Sequence, residues 1–524
     1  MIKRPNFILF ITDQHRADHL GSYGDRVVQT PTIDHLAARG WTADRAYVAA
    51  PICMPNRASL MCSRMPQLHG VRHNGIPLPL ESTTFVDLLL RAGWQTALVG
   101  KAHLQNMSGL AALWPPREAR LADEARRPGQ GRYDQEWGPS WRDIPDFDVD
   151  LPFYGFGHVS LVTDHADTAG GHYRRWLERE CPKVAAVTGS SHALQAPEYT
   201  LVQSKQAWRT RVPEECSTTS WIADETRALL GRYAKANEPF FIQCSFPDPH
   251  HPFTPPGRFW DLYRPEEVSL PASFRQSAPP PSHVAWLRAQ RDAGKAVKHT
   301  PAVFACTERE AREAIALNYG SITHIDGAIG RVIHALDELG LAGDTVCIFT
   351  TDHGEFLGDH QLLLKGPIHY QSLIRTPLIW CDPLGPRGIR SESLCSTIDL
   401  APSILARAGV PGFNGMQGRS LLPLMSGEAS SWRESVLIEE EGQRVMFGFD
   451  SRVCMRTLVT GRWRLSRYYG TSLGEIYDLH EDPHESRNLW DEPAHRDLKR
   501  DLLLELCDRM IGASDPSPYP SALA

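Results

Sequence analysis

The chain has 524 residues, 42% of them hydrophobic and 22% charged, ordinary globular values that allow one large core with a smaller appendage. A net charge of −7 gives no reason to expect nucleic acid or an anionic membrane as a partner. The 11 cysteines form no C-x-x-C pair and no dense framework, so they read as reduced thiols rather than a disulfide scaffold.

The N-terminus carries basic residues and then an apolar run of about six residues, too short for a signal-peptide core. No stretch approaches the roughly 20 apolar residues of a membrane span. The expectation is a cytoplasmic protein with no membrane partner. Residues 6–11 read as a strand buried on both faces of a parallel sheet. The strand ends in Thr12-Asp13-Gln14-His15. A carboxylate at the carboxyl end of a buried strand is where α/β folds place ligand chemistry, although Asp13 can equally cap the next helix. Residues 30–40 predict a helix, with Pro31 near its start and Gly40 at its end, and 41–48 a second strand. After the stretch 51–57, residues 58–63 predict a short helix. Cys53 would then lie near a helix N-terminus, where free N–H groups and the dipole favour anions.

A polar loop at 70–75 contains Asn74. Residues 81–92 predict an amphipathic helix, and 94–99 a strand that ends in Gly100-Lys101-Ala102-His103. Lys101 and His103 stand two residues apart, so both side chains can point to one side. Residues 105–205 are less regular and read as an insertion over one face of the sheet, where substrate selectivity is expected. A helix at 217–233 precedes a strand at 239–246. The following loop, Pro247-Asp-Pro-His250-His251-Pro252, is stiffened by proline, so His250 is a candidate acid–base group; a structural turn histidine is the bland alternative. Residues 278–283 read as a surface linker. A long helix at 308–339 is expected to carry Asp326 on its exposed side. The strand at 344–350 ends in Thr351-Asp352-His353, with Lys365 soon after. Residues 378–380 predict a short strand and 397–408 a helix. From residue 430, strands at 435–440, 451–460, 463–468 and 475–479 and a helix at 495–511 read as a small antiparallel α+β subdomain. The expected division is a catalytic domain at 1–429 and a C-terminal subdomain at 430–524.

Four apolar strands thus end in polar clusters: Asp13-Gln14, Lys101 with His103, His250, and Asp352-His353. In a parallel sheet those ends share one edge, and the Cys53 loop and Lys365 can join them there. The fold class is α/β, a large mostly parallel sheet sandwiched by helices.

Cys53, Pro55 and Arg57 make a C-x-P-x-R pattern followed by Ala58-Ser59. It resembles the signature of the type I, formylglycine-dependent sulfatases of the alkaline phosphatase-like superfamily. Ile325-Asp-Gly-Ala-Ile-Gly-Arg331, Asp399-Leu-Ala-Pro402 with Gly418-Arg-Ser-Leu421, and Ile476-Tyr-Asp-Leu479 with Asp482-Pro483 extend the resemblance over most of the chain; residues 105–205 are least covered. The resemblance implies a sulfuric ester hydrolase acting on a small-molecule sulfate ester. Cys53 would be oxidised to formylglycine by a maturation enzyme, and its hydrated aldehyde would form a covalent sulfo-enzyme intermediate. Asp13, Gln14, Asp352 and His353 would hold one divalent metal, with residue 53 as a further ligand. Arg57 would stabilise the diol, and Lys101 and Lys365 would hold the oxygens of the transferred group. His103 would help break the hemiacetal, His250 would protonate the leaving oxygen, and Asn74 would contact the anion.

Two departures stand out. Many sulfatases have two adjacent aspartates where this chain has Asp13-Gln14, and Asn where it has His353. Fewer carboxylates and one imidazole make manganese a candidate beside calcium. The same pairs also resemble phosphonate monoester hydrolases and choline-sulfatase-like enzymes. A phosphonate monoester or phosphodiester hydrolase on this scaffold is therefore the alternative, and a non-catalytic binding protein of the same fold a further one. The Lys101 and His103 pair, which the phosphonate hydrolases lack, favours sulfate esters. The physiological substrate and the oligomeric state, homo-oligomer included, stay open.

Overall fold

The computed structural model describes residues 4–112, 125–126, 129–429 and 432–523; part of the 105–205 insertion therefore lies outside the described residues. Seven principal strands build a ten-stranded sheet: β1 (Asn6–Thr12), β2 (Trp41–Tyr47), β3 (Gln95–Gly100), β4 (His158–Thr163), β5 (Phe240–Ser245), β6 (Thr345–Thr351) and β7 (Arg375–Cys381). Their spatial order is β2-β7-β6-β1-β5-β3-β4, completed by short pieces at Gly170–Gly171, Ile389–Ser391 and Cys395–Ser396. β1 pairs in parallel with β5 and β6, and β3 in parallel with β4 and β5. β7 runs antiparallel between β2 and β6. β1, β5 and β6 are buried along their whole length, which is why they read as unbroken apolar runs.

Seven helices cover the two faces: α1 (Pro31–Arg39), α2 (Cys53–Cys62), α3 (Phe85–Arg91), α4 (His172–Glu180), α5 (Thr218–Ala236), α6 (Glu308–Glu338) and α7 (Leu400–Ala408). The alternation along β1 divides the core between them. Ile8 and Phe10 face α1, α5 and α6, while Phe7, Leu9 and Ile11 face α2, α3 and α7.

The register aligns the strand ends. Thr12 lies opposite Thr351, and both Ile11 and Gly100 lie opposite Ser245. The residues that follow, Asp13, Lys101 and Asp352, therefore emerge in one row. Gly100 has φ +106°, and a Cβ there would overlap the Ser245 carbonyl oxygen. Glycine lets the Lys101 N–H donate to that oxygen at 3.0 Å and turns the chain into the site.

A second sheet, β8 (Ser435–Val445), β9 (Arg452–Thr460), β10 (Trp463–Tyr468) and β11 (Gly474–Asp478), is antiparallel in chain order and carries α8 (Arg496–Gly512). It is not independent of the first. The Glu439 N–H donates to Ala49 O at 2.9 Å, and His369 bonds both Glu440 and Thr457 at 2.8 Å. Tyr370, Met455, Tyr468 and Tyr477 fill a shared core. Among the described residues, no helix is long and apolar enough to cross a membrane.

Four expectations change. The helix at the cysteine starts at Cys53 itself rather than at residue 58, because Pro55 fits a first turn that needs no N–H from it. α3 starts at Phe85, four residues later than its apolar pattern suggests. There the Asp87 N–H donates to Thr84 Oγ1 at 3.1 Å, and the Thr84 N–H donates to Asp87 Oδ2 at 2.9 Å. The insertion does more than cover a face, since β4 extends the sheet itself. Asp326 is buried rather than exposed. Its carboxylate accepts from the Thr32 and Ile33 N–H groups at 3.1 and 2.8 Å, fixing the first turn of α1 against α6.

Burial raises the Asp326 carboxyl from 3.8 to about 6, against the pull of those two bonds. A folded pKa above the unfolded one contributes stability that is present below about 4 and lost as pH rises to about 6. Asp326→Asn keeps an acceptor oxygen and should flatten stability across that window in urea unfolding. Asp326→Ala strands two buried donors and should cost ~1–3 kcal/mol at any pH.

Candidate active site

Cys53 occupies the first turn of α2, all ten residues of which are buried. The turn has no side-chain cap of its own. Asn74 supplies one from outside, its Oδ1 accepting the Met54 N–H at 3.1 Å. Asn56 locks the loop before the helix. Its Oδ1 accepts from the Ala49 N–H at 3.0 Å and from Thr397 Oγ1 at 3.1 Å, and its amide donates to the Asp352 carbonyl. The cysteine is thereby tied to the end of β6 before any ligand is considered.

Behind the sulfur lies a buried ion network. Arg57, one helical turn after Cys53, donates from Nε to Asp352 Oδ2 at 2.8 Å and from Nη2 to Asp13 Oδ2 at 3.2 Å. Its Nη1 donates to Ser245 Oγ at 3.0 Å and to the Lys101 carbonyl at 3.1 Å, so one guanidinium touches four strand ends. Lys101 Nζ also pairs with Asp13. Burial alone would raise the Asp13 carboxyl, but Lys101, His250 and Arg57 overcome it and hold the group well below the usual range.

On the open side, Lys365 Nζ lies 2.9 Å from Cys53 Sγ and 3.0 Å from both His250 Nε2 and His353 Nε2. His353 Nε2 is itself 3.1 Å from Sγ. Burial and Asp13 push the Cys53 thiol up, against the two lysines. Burial opposes the Lys365 charge, yet Cys53 and the two aspartates raise it and keep the ammonium. Burial, followed by the neighbouring cations, lowers His250 and His353.

Ligand atoms of Asp13, Cys53, Asp352 and His353 all lie within 4.8 Å of one another. Gln14 completes this group in a specific way. Its backbone is left-handed at φ 58°, and its amide nitrogen donates to Glu355 and to His251 Nδ1, the latter at 3.0 Å. That commits the nitrogen and leaves Gln14 Oε1 buried without a hydrogen-bond partner. An orphaned oxygen beside two carboxylates and an imidazole fits a divalent cation that prefers oxygen with some nitrogen.

His103 is buried next to Lys101 and Asp13, in a left-handed conformation at φ 55°. Glu136 holds this turn by accepting the N–H groups of His103, Leu104 and Gln105 at 2.6, 2.7 and 2.8 Å. The structure thus brings Asp13, Gln14, Cys53, Arg57, Lys101, His103, His250, Asp352, His353 and Lys365 into one cluster. Asn74 joins it as the cap of α2.

Sequence reasoning missed His165. It follows β4, places Nε2 2.6 Å from Lys101 Nζ, and stacks on His250 with ring centres 3.7 Å apart. Asp13, His165 and His250 form a second trio of close ligand atoms. The only sequence cue was a polar step after the alternating run 158–163. Glu355, His251 and Glu136 were missed too, because they act on site residues rather than at the strand ends.

Residues 5–410 match the family described as Sulfatase, and residues 358–511 match the one described as N-sulphoglucosamine sulphohydrolase, C-terminal. The arylsulfatase of Clostridium perfringens is 26% identical, with 98% of this chain and 96% of that protein covered. The multifunctional alkaline phosphatase superfamily protein PehA of Trinickia caryophylli is 27% identical, with 95% and 93% covered. The crystal structure of the phosphonate monoester hydrolase of Agrobacterium radiobacter superposes with a TM-score of 0.77 at 23% identity, covering 99% of this chain and 98% of that one, and shows the shared fold. The chain belongs to the sulfatase family, sulfuric ester hydrolases of the alkaline phosphatase-like fold.

Proposed function

We propose that the chain hydrolyses sulfate esters with residue 53 as nucleophile in a formylglycine form. The observation that carries this reading is where Cys53 sits. It lies at a helix N-terminus, 2.9 Å from a lysine and 3.6 Å from the Asp13 carboxylate, with Arg57 locked behind it. A buried thiol whose pKa is pushed up is a poor thiolate nucleophile. The hydrated aldehyde supplies two hydroxyl groups at the same place. The reading also requires a maturation enzyme that recognises the chain.

The roles follow from position. Lys365 and Lys101 hold the oxygens of the ester and offset its charge, which would otherwise repel an oxygen nucleophile. One diol hydroxyl, ionised by loss of its proton to water, attacks sulfur while the bond to the leaving oxygen breaks. His250, facing Lys365, gives that oxygen its proton; burial and then the neighbouring cations lower this histidine, and the charge of the bound ester offsets the second of these. His103 takes the proton of the second hydroxyl, the carbonyl reforms, and sulfate leaves residue 53. Arg57 keeps the diol and both carboxylates in register. Asn74 caps the helix with its oxygen, and its amide nitrogen is the atom offered to the anion. Asp13, Gln14, Asp352 and His353 would hold a divalent cation, calcium or manganese, which would neutralise charge on the ester and favour the ionised nucleophile.

The phosphonate monoester or phosphodiester reading shares Asp13-Gln14 and Asp352-His353. Lys101 and His103, both turned into the site, favour sulfate.

In natively produced protein, the peptide containing residue 53 should have the mass of an aldehyde in place of the thiol, and Cys53→Ala should abolish turnover. Unmodified cysteine in active protein would sink the mechanism. Wild-type protein should turn over an aryl sulfate faster than the matching aryl phosphonate monoester; the reverse order establishes the second reading. Calcium or manganese at ~100 times its Kd should add about 2.7 kcal/mol of stability, read as a raised thermal midpoint. Asp352→Asn should lose that gain, and Gln14→Ala should reduce it.

A further inference from the structure

His165 and His250 stack on one another in the site, yet each is carried by its own stretch of chain. His165 lies on the turn between β4 and α4. Asp167 anchors that turn by accepting from Trp208 Nε1 at 3.1 Å and from Thr210 Oγ1. His250 lies on the loop after β5, where Asp248 Oδ2 accepts from Thr219 Oγ1 at 2.9 Å, in the first turn of α5. The Asp248 carbonyl also accepts the Asp13 N–H at 3.2 Å, so this support reaches the ion network.

The two supports meet at a pair of sulfurs. Cys181 caps the C-terminal end of α4, and Cys216 closes the short turn Glu214–Cys216 that leads into α5. Their Sγ atoms lie 3.0 Å apart, although the residues stand 35 positions apart in sequence. A disulfide bond is ~2.05 Å long, so the two sulfurs need to close by only ~1 Å. The backbones are braced for it. The Tyr173 hydroxyl, on α4, donates to the Cys216 carbonyl at 2.8 Å, and the Cys181 N–H donates to the Leu177 carbonyl at 2.9 Å. Access is unequal, since Cys216 is buried and Cys181 is partly exposed. Burial and the adjacent sulfur also hold the Cys216 thiol up, so the first attack falls to Cys181.

We propose that Cys181 and Cys216 are a redox-sensitive modification site, which a small disulfide such as oxidised glutathione converts into an intramolecular disulfide that fastens α4 to the entry of α5. The Cys181 thiolate attacks one sulfur of the oxidant, whose S–S bond breaks, and one glutathione thiolate leaves. Cys216 then gives its proton to water, attacks Cys181 Sγ and expels the second glutathione. The cysteines lose two electrons and two protons, and these end on two glutathione thiols. The bond closes the chain over 181–216 and restrains the supports of His165 and His250 without touching Cys53.

The natively produced protein is equilibrated in glutathione buffers from reduced to oxidised, its remaining thiols are alkylated, and its peptides are mapped by mass. In oxidised buffer Cys181 and Cys216 should appear in one cross-linked peptide that dithiothreitol separates. The thermal midpoint should rise by ~2–4 °C over the reduced protein. Amide hydrogen exchange across 165–180 and 214–220 should slow. Cys181→Ser should show neither change, while keeping the wild-type midpoint in reducing buffer, and Cys216→Ala should behave alike. The proposal is overturned if both thiols survive in oxidised buffer, if either bonds another cysteine, if a glutathione adduct stops at Cys181, or if the bond forms and exchange does not slow. These readouts are independent of turnover.

Discussion

The site depends on the contact between one arginine and two carboxylates. Arg57 is buried, and so are Asp13 and Asp352, whose side chains have no exposure at all. Burial of a lone carboxylate there would cost several kcal/mol. Arg57 reaches both from α2, and Lys101 adds a second cation to Asp13. The three strand ends and α2 are thereby cross-linked by charge, and the geometry around Cys53 is set without a ligand. Replacing the arginine would remove one counter-charge from two buried anions at once. That is a larger perturbation than losing a surface pair, which contributes ~0–1 kcal/mol.

Charge bookkeeping gives Gln14 its meaning. Asp13, Asp352 and the Glu355 carboxyl stand against Arg57, Lys101 and Lys365 before any cation binds. A second aspartate in place of Gln14 would add a further negative charge. The amide instead offers an oxygen without adding charge, and Glu355, whose pKa burial raises, holds its nitrogen aside. The site thereby gains a ligand oxygen without a further negative charge, which suits an anionic ester.

Much of this arrangement was legible in the chain. Strands buried on both faces announce themselves as apolar runs, and a polar cluster directly after such a run has little choice but the sheet edge. Asp13, Lys101 and Asp352 were found that way. His165 was not, because β4 lies near the sheet margin and its alternation is weak inside an irregular region. Asp326 was misplaced because helical periodicity shows which face is polar, not whether another helix brings its N–H groups to that face. The start of α2 at Cys53 was missed because proline reads as a breaker, although it is welcome in a first turn. The tie between β8 and the active-site loops joins residues more than 300 positions apart, a separation that no local pattern reports.

That long-range tie also bears on selectivity. In the proposed reaction the inner cluster meets the sulfate group and the ester oxygen, which are the same in every sulfate ester. Discrimination must therefore come from groups that meet the leaving part of the substrate. β8 reaches the loops around the site from outside the main sheet, held on one side by the Asn74 carbonyl and on the other by His369. This outer rim is not free to drift. The Gln443 amide that steadies it bonds the same Asn74 whose side chain caps α2, so a change in the rim backbone is felt at the first turn of that helix.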